Sequence, residues 1–243
     1  MREARPDVVL HCAVAIAPAD LEPVIVQGSA DVARAAHALG AHLVHVSSDM
    51  VFDGAGGPFA EHSPVSPITD YGRAKARAED AVRREHPAST IVRTSLLYRL
   101  APPDRSLGAW LDGLARGAAY PLFVDEIRCP ASVLDVARAL LELARRRARG
   151  EAQPGVLHAV GPEPISRHAF GVLVLRALGR DPALAVAARS ADSGMMRPRE
   201  LVLTTRATPS WMTAGIGSPS LRLGVMTDQA VEPGVVRRHR PGP

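Results

Sequence analysis

Asparagine is absent from this chain of 243 residues, and a single lysine, Lys75, stands among its 29 lysine and arginine residues. The two cysteines, Cys12 and Cys129, are too few and too far apart to predict a disulfide framework. No run approaches the roughly 18 apolar residues of a membrane span, and no signal-peptide pattern follows Met1. With 47% hydrophobic and 22% charged residues, the composition predicts an ordinary globular protein, and we expect a cytoplasmic one without a membrane partner.

The basic charge of the chain does not predict a nucleic-acid partner. The formal net charge is +4 and the pI is 9.7, but the arginines cluster at residues 145–149 and 237–240. The first cluster ends a helical pattern, where cations are favoured by the helix dipole. Neither cluster is interleaved with the aromatic residues that stack on bases. We therefore expect no nucleic acid.

Apolar runs and helical patterns alternate along most of the chain. Runs typical of buried parallel strands cover residues 7–13, 42–48, 90–93 and 155–160. Patterns typical of amphipathic helices cover residues 23–39, 71–85 and 131–149. Strands that alternate with helices predict an α/β fold with a doubly wound parallel sheet.

Polar residues that suit proton transfer follow the second predicted strand. Ser48 ends that strand, at the edge where parallel sheets bind their ligands. Tyr71 and Lys75 stand at positions i and i+4 of the next helix and share one face. A cation beside a phenol lowers its pKa towards neutrality, so Tyr71 could protonate a carbonyl oxygen that Ser48 orients.

The residues around these positions resemble the extended short-chain dehydrogenase/reductase family, and within it the dTDP-4-dehydrorhamnose reductase group. The resemblance spans most of residues 6–180 in the same order. Its matching segments are residues 6–9, 46–54, 58–61, 71–75, 93–98 and 161–167. It implies NAD(P)H-dependent reduction of a nucleotide-activated 4-keto-deoxysugar, with NADP or NAD as cofactor, a nucleotide-sugar substrate and a possible homodimer.

The resemblance also assigns roles to single residues. Ser48 would be the hydroxyl of a catalytic triad, Tyr71 the proton donor, and Lys75 the residue that binds the nicotinamide ribose and tunes Tyr71. The other assigned positions are Cys12, Ala13 and Val14 for the cofactor, and Asp49 and Leu96, with Ser48, for the substrate.

Domain organisation follows from the same resemblance. It implies a partial Rossmann-like dinucleotide-binding domain at residues 1–100. A substrate-binding region would follow at residues 101–206, with residues 131–160 returning to the sheet. From Ala207 onward the periodicity is weak and Pro, Gly, Ser and Thr are common, so the sequence itself predicts an irregular tail at 207–243, loosely packed or disordered. The family opens with a Gly-x-x-Gly-x-x-Gly turn, and nothing like it precedes Pro6. We therefore expect an N-terminally truncated domain that lacks about 50 residues, at ~30 per βαβ unit.

Two alternative functions stay open. One is a non-catalytic binding or regulatory protein with the reductase fold, similar to the regulatory subunit of methionine adenosyltransferase. The other is an inactive, N-terminally truncated fragment.

Several polar residues have simpler interpretations than a site. His42 and His45 stand three apart on a strand and point to opposite faces, so we expect no metal. The cysteines are interpreted as small buried residues, and residues 125–126 as an exposed acidic loop pair. Arg93 is either a strand-end ion pair or a contact to a substrate phosphate.

Overall fold

The computed structural model describes residues 4–223. The strands are β1 (Val8–His11), β2 (His42–Ser48), β3 (Thr90–Thr94), β4 (Leu97–Tyr98), β5 (Pro121–Phe123), β6 (Ile127–Arg128), β7 (Ala131–Ser132), β8 (Val156–Ala159), β9 (Ile165–Ser166) and β10 (Val186–Ala188). The helices are α1 (Pro18–Asp20), α2 (Gly28–Ala38), α3 (Asp70–Glu85), α4 (Arg105–Ala115), α5 (Val133–Ala148), α6 (Arg167–Ala177), α7 (Ser210–Thr213) and α8 (Pro219–Arg222). In this part of the chain, no helix combines the length and the apolar character needed to cross a membrane.

The centre of the described chain is a parallel sheet in the order β1-β2-β3-β8. Successive residues of a strand point to opposite sides of the sheet, and helices pack on both of its faces. Leu43 packs with α2 and α3 on one face, whereas the adjacent Val44 packs with α5 on the other. The predicted α/β fold with a doubly wound parallel sheet is therefore confirmed.

The helical connection from β1 to β2 begins at Pro18, five residues before the helix start that the sequence predicts at Pro23. Helix α1 continues through a π-helical turn, Leu21–Gln27, into α2. Leu21 and Ile25 of this turn are buried against Ala74 and Ala78 of α3. The turn therefore supports the helix that carries Tyr71 and Lys75.

A second cluster lies beyond the sheet. Helices α4 and α6 pack together through Leu111 and Leu175, and β5 pairs in parallel with β10. Tyr98 joins this cluster through Phe170 of α6, with ring centroids 5.2 Å apart. Helix α5 and β8 return to the main sheet.

The start of the expected irregular tail is packed against the core. Met212 of α7 and Ile216 are buried among the side chains of α5 and the sheet. The backbone N–H groups of Ala207 and Thr208 both donate to Glu61 Oε1. Residues 207–223 contain only two short helices, α7 and α8, but they are packed against the core instead of being loosely attached. Residues 224–243 of that expected tail lie outside the described residues.

Candidate active site

Strand β2 ends at a tight turn that fixes two polar side chains. Ser48 precedes a 3₁₀ turn, Asp49–Val51, and its Oγ accepts a hydrogen bond of 3.2 Å from the Met50 N–H. The Asp49 carboxylate is buried, and it accepts from Ser48 Oγ at 3.2 Å and from Ser95 Oγ at 2.6 Å. The end of the strand therefore presents a hydroxyl that is already bonded to a carboxylate.

Helix α3 begins directly against this turn. Thr69 caps the helix, and its Oγ1 accepts from the Gly72 N–H at 3.1 Å. A Cβ at position 72 would collide with the carbonyl oxygen of Met50, so only glycine allows so close an approach. The close approach places Tyr71, the residue before Gly72, next to the turn that follows Ser48.

The protonation of Tyr71 differs from the expectation. Burial, with the Asp49 carboxylate as the second cause, raises the pKa of Tyr71 to about 12. The expected lowering by Lys75 is therefore wrong for this structure. Tyr71 carries its proton at neutral pH.

Lys75 lies one turn further along α3 and is buried. Its Nζ donates a hydrogen bond of 2.7 Å to the carbonyl oxygen of Val46. Burial lowers the pKa of Lys75 to about 8, and the nearby Glu79 carboxylate partly opposes this shift. The ammonium is thus held against β2.

Arg93 belongs to a buried ion pair. Its Nε and Nη2 bind the two carboxylate oxygens of Glu79 at 3.0 and 2.8 Å, and both side chains are buried. The alternative left open by the sequence is decided in favour of the ion pair. Because Glu79 lies on α3 and Arg93 on β3, this pair fixes the helix that carries Tyr71 and Lys75.

Residues Cys12, Ala13 and Val14 form an exposed segment directly after β1. The expectation of a buried side chain at Cys12 is wrong, because β1 ends one residue earlier. Cys129 is buried, as expected.

One cavity of about 630 Å³ collects every residue that the sequence assigned to a site. It lies at the carboxyl ends of β1, β2 and β3. The assigned residues that line it are Cys12, Ala13, Val14, Ser48, Asp49, Tyr71, Lys75 and Leu96.

The opposite wall of this cavity holds charged residues that the sequence did not assign. Glu126 is only 2% exposed, so the interpretation of residues 125–126 as an exposed loop pair is wrong for Glu126, whereas Asp125 is half-buried. Arg128 binds Glu126 at 2.9 Å and Arg197 binds it at 2.7 Å. The only sequence signal for this cluster is a charged pair, Glu126 and Arg128, at alternate positions of an apolar stretch.

Arg167 begins α6 at the edge of the same cavity, and it also lines a second cavity of about 240 Å³. Its guanidinium has no hydrogen-bond or ion-pair partner among residues 4–223. The second cavity has aromatic walls, and the buried Tyr98 hydroxyl and Trp110 Nε1 have no partner within the described chain. Leu96, Leu97 and Arg167 line both cavities.

Comparison with known proteins gives one family and several named relatives. The family described as RmlD substrate binding domain matches residues 1–227. A dTDP-4-dehydrorhamnose reductase of Streptomyces griseus is 33% identical over 226 residues, which cover 88% of this chain and 73% of that protein. One of Sinorhizobium fredii is 32% identical over 196 residues, which cover 72% of this chain and 62% of the relative.

A relative with a different name matches nearly as well. Methionine adenosyltransferase 2 subunit beta of Xenopus tropicalis is 29% identical over 189 residues, which cover 69% of this chain and 53% of that subunit. The chain thus spans less than two thirds of the length of this subunit and of the Sinorhizobium reductase.

Solved structures share the fold. A dTDP-4-dehydrorhamnose reductase of Bacillus anthracis in complex with NADP has a TM-score of 0.78 at 22% identity, covering 92% of this chain and 80% of that one. The Bordetella bronchiseptica enzyme WbmG in complex with NAD and UDP has a TM-score of 0.69 at 24% identity, covering 89% and 69%. At these identities the likeness establishes a Rossmann-like α/β fold.

Proposed function

The chain belongs to the RmlD substrate-binding domain family, and on that basis we propose that it acts as an NAD(P)H-dependent reductase of a nucleotide-activated 4-keto-deoxysugar. The observation that carries the proposal is the meeting of Ser48, Tyr71 and Lys75 in one cavity at the carboxyl ends of the parallel strands. Relatives named dTDP-4-dehydrorhamnose reductase support the choice of substrate class.

Tyr71 is the proton donor in this proposal. A phenol with a raised pKa keeps its proton at neutral pH, so it can give that proton to a carbonyl oxygen as negative charge develops there. Ser48 lines the same cavity as Tyr71. Lys75 contributes a buried positive charge one helical turn away.

The residues present fit the nicotinamide end of a dinucleotide. The exposed backbone of Cys12, Ala13 and Val14 and the buried ammonium of Lys75 line the same cavity, and they suit a ribose and a planar amide ring. The chemistry that NADPH or NADH supplies in such a site is hydride transfer to a carbonyl carbon.

The two joined cavities favour a nucleotide-linked substrate. The aromatic cavity, whose walls include Tyr98, Trp110, Tyr120 and Phe170, suits the flat ring of a base. Arg167, between the two cavities, offers a free guanidinium to a diphosphate. The sugar would then extend towards Ser48, Asp49, Leu96 and Tyr71.

A binding or regulatory role is the second candidate, and the similarity to methionine adenosyltransferase 2 subunit beta favours it. Both candidates use the same cavities, but only the reductase needs the proton of Tyr71. The cytoplasmic location and the homodimer stay predictions.

Turnover separates the two candidates. The purified chain is titrated with NADPH and NADH, then mixed with dTDP-4-dehydrorhamnose while absorbance at 340 nm is followed. We expect oxidation of the cofactor, and its loss in Tyr71→Phe without a change in the unfolding curve. Cofactor or dTDP binding with no oxidation would favour the regulatory candidate, and unchanged turnover in Tyr71→Phe would refute the role of Tyr71.

A further inference from the structure

The charged side chains that line the cavity of about 630 Å³, called here the reaction cavity, are paired with one another. Glu126 and Arg128 belong to its wall, yet they are only 2% and 5% exposed. Glu126 is bound by Arg128 at 2.9 Å and by Arg197 at 2.7 Å. The Arg128 guanidinium also donates to the carbonyl oxygen of Pro198 at 3.2 Å. These charges therefore spend their bonds on the protein.

Two serine hydroxyls of the same wall are also in use. The Asp49 carboxylate is buried, and it accepts from Ser48 Oγ at 3.2 Å and from Ser95 Oγ at 2.6 Å. Each serine oxygen in turn accepts from a backbone N–H, that of Met50 for Ser48 and that of Cys129 for Ser95. A hydroxyl has one proton to donate, so both serine protons are already donated to Asp49.

Apolar side chains line the reaction cavity between these polar groups. Met50 follows Ser48 by two residues, and its Sδ lies 4.0 Å from Arg128 Nη2. Leu96 and Leu97 come directly after Ser95 and line the cavity as well. Helix α5 adds Val133, Val136, Ala137 and Leu140. A ligand in this cavity therefore meets hydrocarbon and sulfur beside each engaged serine.

The remaining polar groups already have tasks in the proposed function. The Tyr71 hydroxyl serves the carbonyl oxygen, the Lys75 ammonium the ribose of the cofactor, and the Arg167 guanidinium the diphosphate. A ring hydroxyl of the sugar would compete with these tasks or enter the apolar wall. A hydroxyl that enters an apolar wall gives up its bonds to water without replacing them, and this weakens binding.

We propose that the sugar bound in the reaction cavity is multiply deoxygenated, a 2,6-dideoxy or 2,3,6-trideoxy 4-keto sugar carried by a nucleoside diphosphate. The inference rests on the proposed function and narrows its substrate class. Its physical basis is a wall in which the charges and the two serines bind the protein and the surface between them is apolar.

The test is calorimetric titration of the purified chain with dTDP-L-rhamnose, its 2-deoxy analogue and its 2,3-dideoxy analogue. These ligands share one nucleotide and differ by single hydroxyls. An apolar pocket disfavours an added hydroxyl, so we expect the affinity to rise by about tenfold for each hydroxyl removed. Equal affinity for the three ligands, tightest binding of dTDP-L-rhamnose, or binding of none of them would overturn the proposal.

A polar substitution in the wall should reduce this preference. Leu96→Asn keeps nearly the same size and adds an amide that can donate to and accept from a hydroxyl. Met50→Gln does the same on the other side of Asp49 and serves if Leu96→Asn fails to fold. Leu134→Asn is the control, because Leu134 is 55% exposed on α5 and lies outside the cavity lining. An unchanged preference in both wall variants, or an equal reduction in Leu134→Asn, would overturn the proposal.

Turnover separates a failure of this inference from a failure of the proposed function. NADPH oxidation with a higher kcat/KM for dTDP-4-dehydrorhamnose than for its 2-deoxy analogue would uphold the reductase and overturn the inference. Oxidation with neither sugar, together with the expected order of affinities, would refute the reductase and uphold the preference of the cavity for deoxygenated sugars.

Discussion

The ammonium of Lys75 donates a 2.7 Å hydrogen bond to the carbonyl oxygen of Val46, on the strand that ends at Ser48. Burial lowers the pKa of this lysine to about 8 from its ordinary 10.5. The ammonium is therefore both a structural link between α3 and β2 and a group that titrates near physiological pH.

The titration of Lys75 can be observed directly, because the chain contains no other lysine. In ¹³Cε-lysine NMR we expect a midpoint near pH 8 in the folded protein and near 10.5 in urea. The unfolded state then binds more protons between these values, so stability should rise as the pH increases from about 8 to 10.5. A folded-state midpoint near 10.5 would contradict the buried position.

Gly72→Ala tests the close approach of α3 to the turn after β2. The new methyl group would meet the Met50 carbonyl oxygen, which cannot move without disturbing Asp49. We expect the free energy of unfolding to fall by about 1–3 kcal/mol and turnover to be lost. Gly155→Ala is the control, because a Cβ there meets nothing within 4 Å, and its effect should stay within ~1 kcal/mol. Equal effects in urea unfolding would contradict this account.

Glu79→Gln tests the buried pair with Arg93. Loss of the charge leaves the Arg93 guanidinium buried and unpaired, so we expect a loss of about 3–5 kcal/mol in urea unfolding. Arg83 binds the same carboxylate at 3.0 Å, but its side chain is 41% exposed. Arg83→Gln should therefore cost less than about 1 kcal/mol. Similar losses in the two variants would show that burial does not determine the strength of these pairs.

Arg167→Ala tests the diphosphate position. Because its guanidinium has no hydrogen-bond or ion-pair partner among residues 4–223, the variant breaks no such bond there, and we expect dTDP affinity to fall by roughly tenfold or more in calorimetry. Arg176→Ala changes an exposed arginine of the same helix and should leave the affinity unchanged. An equal loss in both variants would indicate general attraction by the positive charge of the protein.

The sequence was sufficient for the fold and for one side of the site. Strands β2 and β3 each contain a short apolar run, at residues 43–44 and 91–92, and the helices between the strands have clear periodicity, so the parallel sheet follows from general rules. Ser48, Tyr71 and Lys75 were predicted together because a strand end and an i,i+4 pair are local patterns.

The other side of the site depends on contacts that local patterns do not contain. Glu126 and Arg128 are buried, and both are bound by a distant segment. The carbonyl oxygen of Pro198, 70 residues after Arg128, accepts from the Arg128 guanidinium, and Arg197 binds Glu126. The pKa of Tyr71 was predicted in the wrong direction for a similar reason. A neighbour on the same helix is visible in the sequence, whereas burial and the position of Asp49 relative to Tyr71 are set by the tertiary fold.

The bonds from Glu61 to Ala207 and Thr208 have a consequence for biosynthesis. They join positions up to 147 residues apart, and the neighbouring bond from the Glu200 N–H to the Gly54 carbonyl oxygen holds the same two stretches together. A nascent chain that has emerged only as far as Lys75 carries Ser48 and Tyr71 but has no wall opposite them. The wall opposite them includes Arg197 and Pro198, just before the stretch that these bonds hold, so the cavity is completed only when those residues have left the ribosome. A translation product that stops earlier contains the reactive side chains without that wall.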